Sequence, residues 1–419
     1  MNKNAIPPIS KSHMQRILAA SLMARGTSEI CNPGVSEDDI AAVTIIESLG
    51  AKTQWNKPIG TSPDFEQVLK VAGSPELKTR TLNAGESGLS SRMFSVVVSQ
   101  SDQTHRMTGR GTLLERSFEP LSEIFHQGGV QWSSNHMKLP LEITGPLQAG
   151  DYAVDGSFSS QFISGLLMTL PVLEGAKNEI STVRIHNPKS RGYLEMTLEV
   201  MRKFGVQVEA RKDLTEISIP TGQKYSAQNI TPEADWSGGA FLLIAQYLGI
   251  FESVLGLRRD SIQPDALVVE MLERHGLEVH EDNNQSGPTE MRMSGTLNGP
   301  LRMDLTQTPD LFPPLVLLAL FSEGEHRFSG VHRLRGKESD RAYVMANELA
   351  KAGAALSVEG DELVVLGMPN WRDALLNPHG DHRMAMLFGL INSLVPNTIT
   401  TEDPECVAKS FPHFWDQLD

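Results

Sequence analysis

Gly336-Lys337-Glu338-Ser339-Asp340-Arg341 sets two cations and two carboxylates in five consecutive positions, directly after Arg333 and Arg335. The spacing predicts a helix start at which Lys337 and Arg341, four residues apart, share one face with Glu338 beside them. Two fixed cations around one carboxylate would hold an anionic substrate while the carboxylate gives or takes a proton. A solvated ladder of surface ion pairs uses the same residue types, so the choice depends on what else the chain supplies.

It supplies more helix starts of the same character. Ser10-Lys11-Ser12-His13-Met14-Gln15-Arg16 leads into an apolar helix predicted over Ile17–Met23, with Lys11, Ser12 and Arg16 at or near its first turn. Unpaired amides there favour an anion, and cations in that place oppose the helix macrodipole. An anionic ligand accounts for them; Ser12 as an ordinary cap beside solvated cations is the plainer reading. Ser157-Phe158-Ser159-Ser160-Gln161 opens the apolar run Phe162–Leu170. Ser159 or Ser160 alone reads as an N-cap, but hydroxyls, an amide and free N–H groups together suit a phosphate or a polyhydroxylated ring. Lys189-Ser190-Arg191-Gly192-Tyr193 repeats the theme before a helix over Leu194–Phe204. Arg110, Arg116, Arg383 and Lys409 complete the basic set, with Arg383 following Gly380-Asp381-His382 at another helix start. Asp310, ahead of the apolar stretch Leu315–Phe321, reads either as a cap or as a carboxylate aimed into a cleft. His379 and His382 have no ligand partners nearby in sequence, so no metal is expected. There is no Walker A motif, and Gly109-Arg110-Gly111 is too short for a nucleotide loop.

The elements that must carry these residues follow one pattern: amphipathic helix, small-residue turn, alternating strand. It occurs at Ile45–Ala51, Ile124–Val130, Met201–Val206, Leu272–Leu277 and Leu349–Ala354, each with a glycine where a helix C′ residue belongs. The copies recur at about 70 to 80 residues, too long for a solenoid. The reading is a repeated α/β folding unit, six copies in two similar halves. A boundary is expected near Lys224–Pro232, between strand-like Thr215–Pro220 and Glu233-Ala234-Asp235-Trp236-Ser237. The residues before Ser10 are assigned to the second half, which gives domains of residues 10–228 and of 1–9 plus 229–419.

Size and composition agree. A chain of 419 residues exceeds one core, and 40% hydrophobic residues with 35 glycines suit a globular α/β protein. A net charge of −14 argues against nucleic acid or a membrane surface as partner, so any anion site must be built locally. Cys31 and Cys406 are too few for a disulfide framework. The polar start Met1-Asn2-Lys3-Asn4 lacks a secretory apolar region, and no apolar run would span a bilayer. The expectation is a soluble, cytoplasmic monomer.

Taken in order from Ser10-Lys11-Ser12 to Lys409-Ser410-Phe411-Pro412, these segments resemble the 5-enolpyruvylshikimate-3-phosphate synthase family of enolpyruvyl transferases. The most specific parts are Ser159-Ser160-Gln161, Lys337-Glu338-Ser339-Asp340-Arg341 and Asp381-His382-Arg383. The resemblance implies two similar domains, each of three βαβαββ repeats (an inside-out α/β barrel), closing over an interdomain cleft. It implies transfer of the enolpyruvyl group of phosphoenolpyruvate to the 5-hydroxyl of shikimate 3-phosphate, with release of phosphate and with no metal or organic cofactor.

By the same resemblance Lys11, Ser12, Arg16, Ser159, Ser160, Gln161, Ser190, Tyr193, Asp310 and Lys337 meet shikimate 3-phosphate. Lys11, Gly88, Arg116, Gln161, Arg341, Arg383 and Lys409 meet phosphoenolpyruvate. Asp310 takes the proton of the 5-hydroxyl, and Glu338 protonates the enol methylene. The chain departs from the family at Glu86-Ser87-Gly88-Leu89-Ser90-Ser91-Arg92, where Leu89 replaces a threonine, at Ser117, which replaces a proline, and at Arg333, which replaces an asparagine. These departures leave the response to glyphosate open. The nearest alternative, the sister enzyme acting on UDP-N-acetylglucosamine, carries a cysteine or aspartate on the loop corresponding to Gly109–Arg116, which has neither. A non-catalytic anion-binding relative would have less need of Lys11, Asp310, Glu338 and Lys409.

Overall fold

In the computed structural model the described residues are 3–59, 66–74, 76–78, 80–173, 180–282 and 288–418; Met1 and Asn2 of the polar start lie outside them. The chain divides into two compact units, Ile9–Pro232 and Met1–Pro8 with Glu233–Asp419. Each has a core of its own. Phe94, Phe118, Phe125, Phe162 and Phe204 are buried in the first, and Trp236, Phe241, Phe312, Phe328 and Phe388 in the second.

The helices in chain order are α1 (Lys11–Met23), α2 (Glu37–Ser48), α3 (Gly88–Val97), α4 (Pro120–Gln127), α5 (Ser160–Thr169), α6 (Arg191–Lys203), α7 (Trp236–Tyr247), α8 (Val268–Glu273), α9 (Phe312–Leu320), α10 (Arg341–Lys351) and α11 (His382–Leu394). They fall into two kinds. α2, α4, α6, α8 and α10 bury one stripe, such as Leu121, Ile124 and Phe125 of α4, and leave the other face to solvent. α1, α3, α5, α7, α9 and α11 are buried over nearly their whole surface, polar side chains such as Gln15, Arg16 and Arg92 included.

Four of the buried helices, α3, α5, α9 and α11, lie between parallel strands. Thr81–Asn83 pairs parallel with Thr104–Thr108 across α3, and Asp151–Asp155 with Ile180–His186 across α5. Arg302–Asp304 pairs parallel with Glu325–Ser329 across α9, and Ala374–Leu376 with Ile399–Thr401 across α11. The amphipathic helices instead lead into antiparallel pairs, such as Gln131–Asn135 with Lys138–Thr144 after α4 and Ala355–Glu359 with Glu362–Leu366 after α10. Among the described residues the first unit has three four-stranded mixed sheets and one two-stranded parallel sheet, and the second has sheets of three, four and two strands.

The repeat read from the sequence is therefore present at five places. Gly50, Gly129, Gly205, Gly276 and Gly353 follow their helices at φ of 111°, 70°, 86°, 94° and 96°, a left-handed turn that a side chain would strain. No sixth occurrence follows α11 among the described residues: α11 is of the buried kind, and its next strand pairs parallel as those after α3, α5 and α9 do. Val206–Ala210 is also shorter as a strand than the alternation suggests, with only Glu209–Ala210 paired. No described helix is long and apolar enough to cross a membrane.

Candidate active site

Most of the residues with chemistry stand at or just before the first turns of helices, where the helix amides are not yet paired. In the second unit Asp381 is the N-cap of α11, and its carboxylate accepts the Arg383 backbone N–H at 3.0 Å. The same carboxylate accepts Arg341 Nε at 2.8 Å and Ser339 Oγ at 3.0 Å. Arg341, the first residue of α10 and 1% exposed at its side chain, donates Nη1 to Asp310 Oδ1 at 2.6 Å and Nη2 to Glu338 Oε2 at 2.8 Å. Lys337 Nζ lies 3.3 Å from Asp310 Oδ1, and Arg383 Nη2 3.5 Å from Asp310 Oδ2. Lys409 Nζ lies 3.7 Å from Glu338 Oε1. Asp310, Lys337, Glu338, Arg341, Arg383 and Lys409 thus form one connected cluster with Asp381 at its base.

The electrostatics follow from burial and these pairs. Burial alone would raise the Asp310 carboxyl, but Arg383, Lys337 and Arg341 outweigh it and hold it well below the usual range. Burial lowers the Lys337 ammonium pKa, with Asp310 opposing the shift. Arg341 stays a firm cation because Asp381, Glu338 and Asp310 overcome its desolvation. Arg383 keeps its charge by the same balance, chiefly through Asp310. Its Nη1 faces His382 Nε2 at 3.0 Å, and its Nε is buried without a partner among the described residues, a donor left open. Asp265, bonded to Ser237 Oγ, is pushed up to about 7 by burial and by the Asp310 charge. Burial lowers the Arg333 pKa, with Asp310 again opposing.

In the first unit α1 begins at Lys11, earlier than its apolar run, and its N-cap is Ser10 rather than Ser12. Lys11 Nζ meets Asp38 Oδ2 at 2.9 Å. Arg16 is buried, donating to Ser12 O at 2.7 Å, Thr197 Oγ1 at 2.8 Å and Ser164 Oγ at 3.0 Å, with the Tyr193 ring centre 5.8 Å from its guanidinium carbon. Burial lowers its pKa to about 10. Ser159 caps α5 by accepting the Gln161 N–H at 3.2 Å, and Ser160 is the helix's first residue. Ser190, the residue before α6, holds φ 52°. Gln161 Oε1 accepts Arg92 Nη1 at 3.1 Å. Gly88 opens α3 where a Cβ would meet Arg116 Nη1 at 2.5 Å, so the missing side chain leaves room for that guanidinium.

One expectation fails. Lys337 and Arg341 do not share a helical face: α10 starts at Arg341, and residues 337–339 form a bend. Both cations nonetheless reach Asp310 Oδ1, at 3.3 and 2.6 Å. Sequence reasoning also missed four partners: Asp38, Ser164, Thr197 and Asp381 as the support of Arg341. Only Asp381 left a signal, as an acid directly before a basic helix start. Of the basic set, Arg383 and Lys409 join Lys337 and Arg341 in the second unit's cluster of ion pairs, whereas Arg110 is exposed and pairs with Glu37 at 3.1 Å. Among the described residues no group of three His, Cys, Asp or Glu side chains is arranged to hold a metal.

The sequence model of a family described as EPSP synthase (3-phosphoshikimate 1-carboxyvinyltransferase) matches residues 2–418. A 3-phosphoshikimate 1-carboxyvinyltransferase of Clostridium beijerinckii is 32% identical, covering 99% of this chain and 93% of its own. One of Clostridioides difficile is 34% identical, covering 98% and 92%. A solved EPSP synthase of Acinetobacter baumannii superposes with a TM-score of 0.76 at 25% identity, over 100% of this chain and 96% of that one. The enolpyruvyl transferase NikO of Streptomyces tendae, at 16% identity and a TM-score of 0.74 over 100% and 94%, shares the fold.

Proposed function

The chain belongs to the EPSP synthase (3-phosphoshikimate 1-carboxyvinyltransferase) family, and we propose that its reaction runs through the polar and charged residues at and near its helix starts. The reaction moves the enolpyruvyl group of phosphoenolpyruvate onto the 5-hydroxyl of shikimate 3-phosphate and releases phosphate. The observation that carries the assignment is Asp310, a buried carboxylate kept ionised between Arg341, Lys337 and Arg383 at 2.6, 3.3 and 3.5 Å.

An ionised carboxylate fits a base that accepts the 5-hydroxyl proton as oxygen attacks the enolpyruvyl carbon. Glu338 is the proton donor to the methylene. Without substrate it is paired with Arg341 and Lys409. Phosphoenolpyruvate brings carboxylate and phosphate charge to those same cations. It would compete with Glu338 for them. The methyl group of the tetrahedral intermediate then returns a proton to Glu338 as the bond to phosphate breaks and the carbon–carbon double bond re-forms, with Arg341, Arg383 and Lys409 holding the released anion.

Lys11, Ser12, Arg16, Ser159, Ser160, Gln161, Ser190, Tyr193, Asp310 and Lys337 are assigned to shikimate 3-phosphate. Lys11, Gly88, Arg116, Gln161, Arg341, Arg383 and Lys409 are assigned to phosphoenolpyruvate. Hydroxyls and amides at the start of α5 suit a sugar-like ring, and forked guanidinium groups suit carboxylate and phosphate. The finer organisation proposed with this is two similar domains of three βαβαββ repeats, residues 10–228 on the shikimate-phosphate side and 1–9 plus 229–419 carrying Asp310, Glu338 and most phosphoenolpyruvate contacts. The five glycine turns support it. The protein would work on its two small substrates as a cytoplasmic monomer.

The test is phosphate release from phosphoenolpyruvate by the purified protein, with and without shikimate 3-phosphate. Release only when both are present is expected. A folded protein that releases none at millimolar concentrations of each would end the assignment.

A further inference from the structure

We infer that Arg92 is a positioning residue that fixes which end of the Gln161 carboxamide the substrates meet. The inference rests on the assignment of Gln161 to substrate made above. Gly165 of α5 has no room for a side chain: a Cβ would lie 2.5 Å from Met93 O and 2.9 Å from the Val96 Cβ of α3. That close approach of α3 and α5 brings Arg92, on α3, to the first turn of α5.

Arg92 is buried there among three aromatic rings, its guanidinium carbon 5.9, 5.5 and 5.3 Å from the ring centres of Phe118, Phe158 and Phe162. A cation among ring faces is attracted to them and loses freedom to swing. The fork then points two ways, Nη1 to Gln161 Oε1 at 3.1 Å and Nη2 to Ser117 O at 3.3 Å.

The consequence is chemical. Guanidinium offers donors only, so the Gln161 atom facing it must be the carbonyl oxygen, whatever rotamer the amide would take alone. The Nε2 group is left to face away from Arg92, and among the described residues it donates to none. Gln161 is thereby locked as a donor of N–H. It selects ligand atoms that accept, the phosphate, carboxylate and hydroxyl oxygens of the two substrates. Without Arg92 the amide can turn its oxygen outward, against those same atoms. The Ser117 bond ties the segment that follows Arg116 to the same anchor.

The test is a double-mutant cycle of Arg92→Met with Gln161→Ala, read as kcat/KM for phosphoenolpyruvate and as the calorimetric Kd for shikimate 3-phosphate, with melting temperatures for every variant. Arg92→Met alone is expected to lower kcat/KM by about 10- to 100-fold, and to change it less than about threefold once Gln161 is alanine. An equal loss in both backgrounds, in kcat/KM and in Kd alike, would show that Arg92 acts on its own or only supports the fold, and would overturn the inference. Should Arg92→Met fail to fold, Arg92→Lys keeps the charge but not the fork, and the same coupling to Gln161 is expected of it. Wild-type protein that binds shikimate 3-phosphate without turnover would end the assignment of function yet leave the cycle readable in Kd. Wild-type protein that binds neither substrate would end both.

Discussion

Arg341 Nη1 and Asp310 Oδ1 lie 2.6 Å apart in a site where Arg341 is almost wholly enclosed. A buried guanidinium must have its donors met, and this one meets them with Asp310, Glu338 and Asp381. The pair therefore links the candidate base to the candidate acid through one rigid cation. Charge introduced at one carboxylate is felt at the other.

Asp310→Asn keeps an oxygen toward Arg341 and removes the negative charge. Turnover should fall by about 10²- to 10⁴-fold, the range for loss of a general base. Affinity for phosphoenolpyruvate should persist or tighten, because Lys337, Arg341 and Arg383 lose a competing anion. Steady-state rates and calorimetry on one preparation check both halves. Turnover near wild type would take Asp310 out of the mechanism.

Asp381 is expected to matter as much to stability as to rate. Its carboxylate is fully enclosed, caps α11 and holds Arg341. Asp381→Ala leaves a buried cation short of a partner and a helix without its cap. The cost should be about 3–5 kcal/mol, seen as a lower unfolding midpoint in denaturant with an unchanged slope. A loss under about 1 kcal/mol would mean that Arg341 is satisfied without it.

How much of this was legible in the sequence depends on the range of the interaction. The five glycine turns were, because a left-handed residue after a helix is a local demand that only the neighbouring residues set. The basic helix starts at Lys11, Arg341 and Arg383 were legible for the same reason: cations where the helix dipole disfavours them are a local anomaly. The bend at residues 337–339 was not, because Lys337 and Arg341 at four-residue spacing are equally good helix formers, and the partner they share, Asp310, lies 27 and 31 residues away along the chain. The support of Arg341 by Asp381, across 40 residues, and of Arg16 by Thr197, across 181, belongs to tertiary packing alone. Local sequence carries propensity and capping, not the choice of distant partners.

Gly165→Ala tests how closely α3 and α5 must approach. The added Cβ would fall 2.5 Å from the Met93 carbonyl oxygen, and backbone cannot yield as a side-chain tip can. Overpacking of this kind costs about 1–3 kcal/mol. The helices should part, lengthening the Arg92–Gln161 bond, so kcat/KM should fall as well. Gly249→Ala, at a positive-φ site where a Cβ would have no neighbour within 4 Å, serves as the comparison. It should lose some stability through strain and keep its kcat/KM.

Asp39 gives a pH dependence whose direction is fixed by its surroundings. Burial, more than any neighbouring charge, pushes its carboxyl up to about 7, although Ser36 hydrogen bonds oppose the shift. A carboxyl with a raised pKa holds its proton more tightly folded than unfolded. Its contribution is therefore complete below the unfolded value near 3.8 and is lost as pH rises toward 7. Asp39→Asn removes the titration while keeping an oxygen that can take part in the capping box with Ser36. Relative to wild type, this variant should be least favoured at pH 4 and gain steadily up to pH 7. Melting temperatures at half-unit intervals measure the difference; a gap between the two proteins that stays constant across that window would show that Asp39 is ionised throughout.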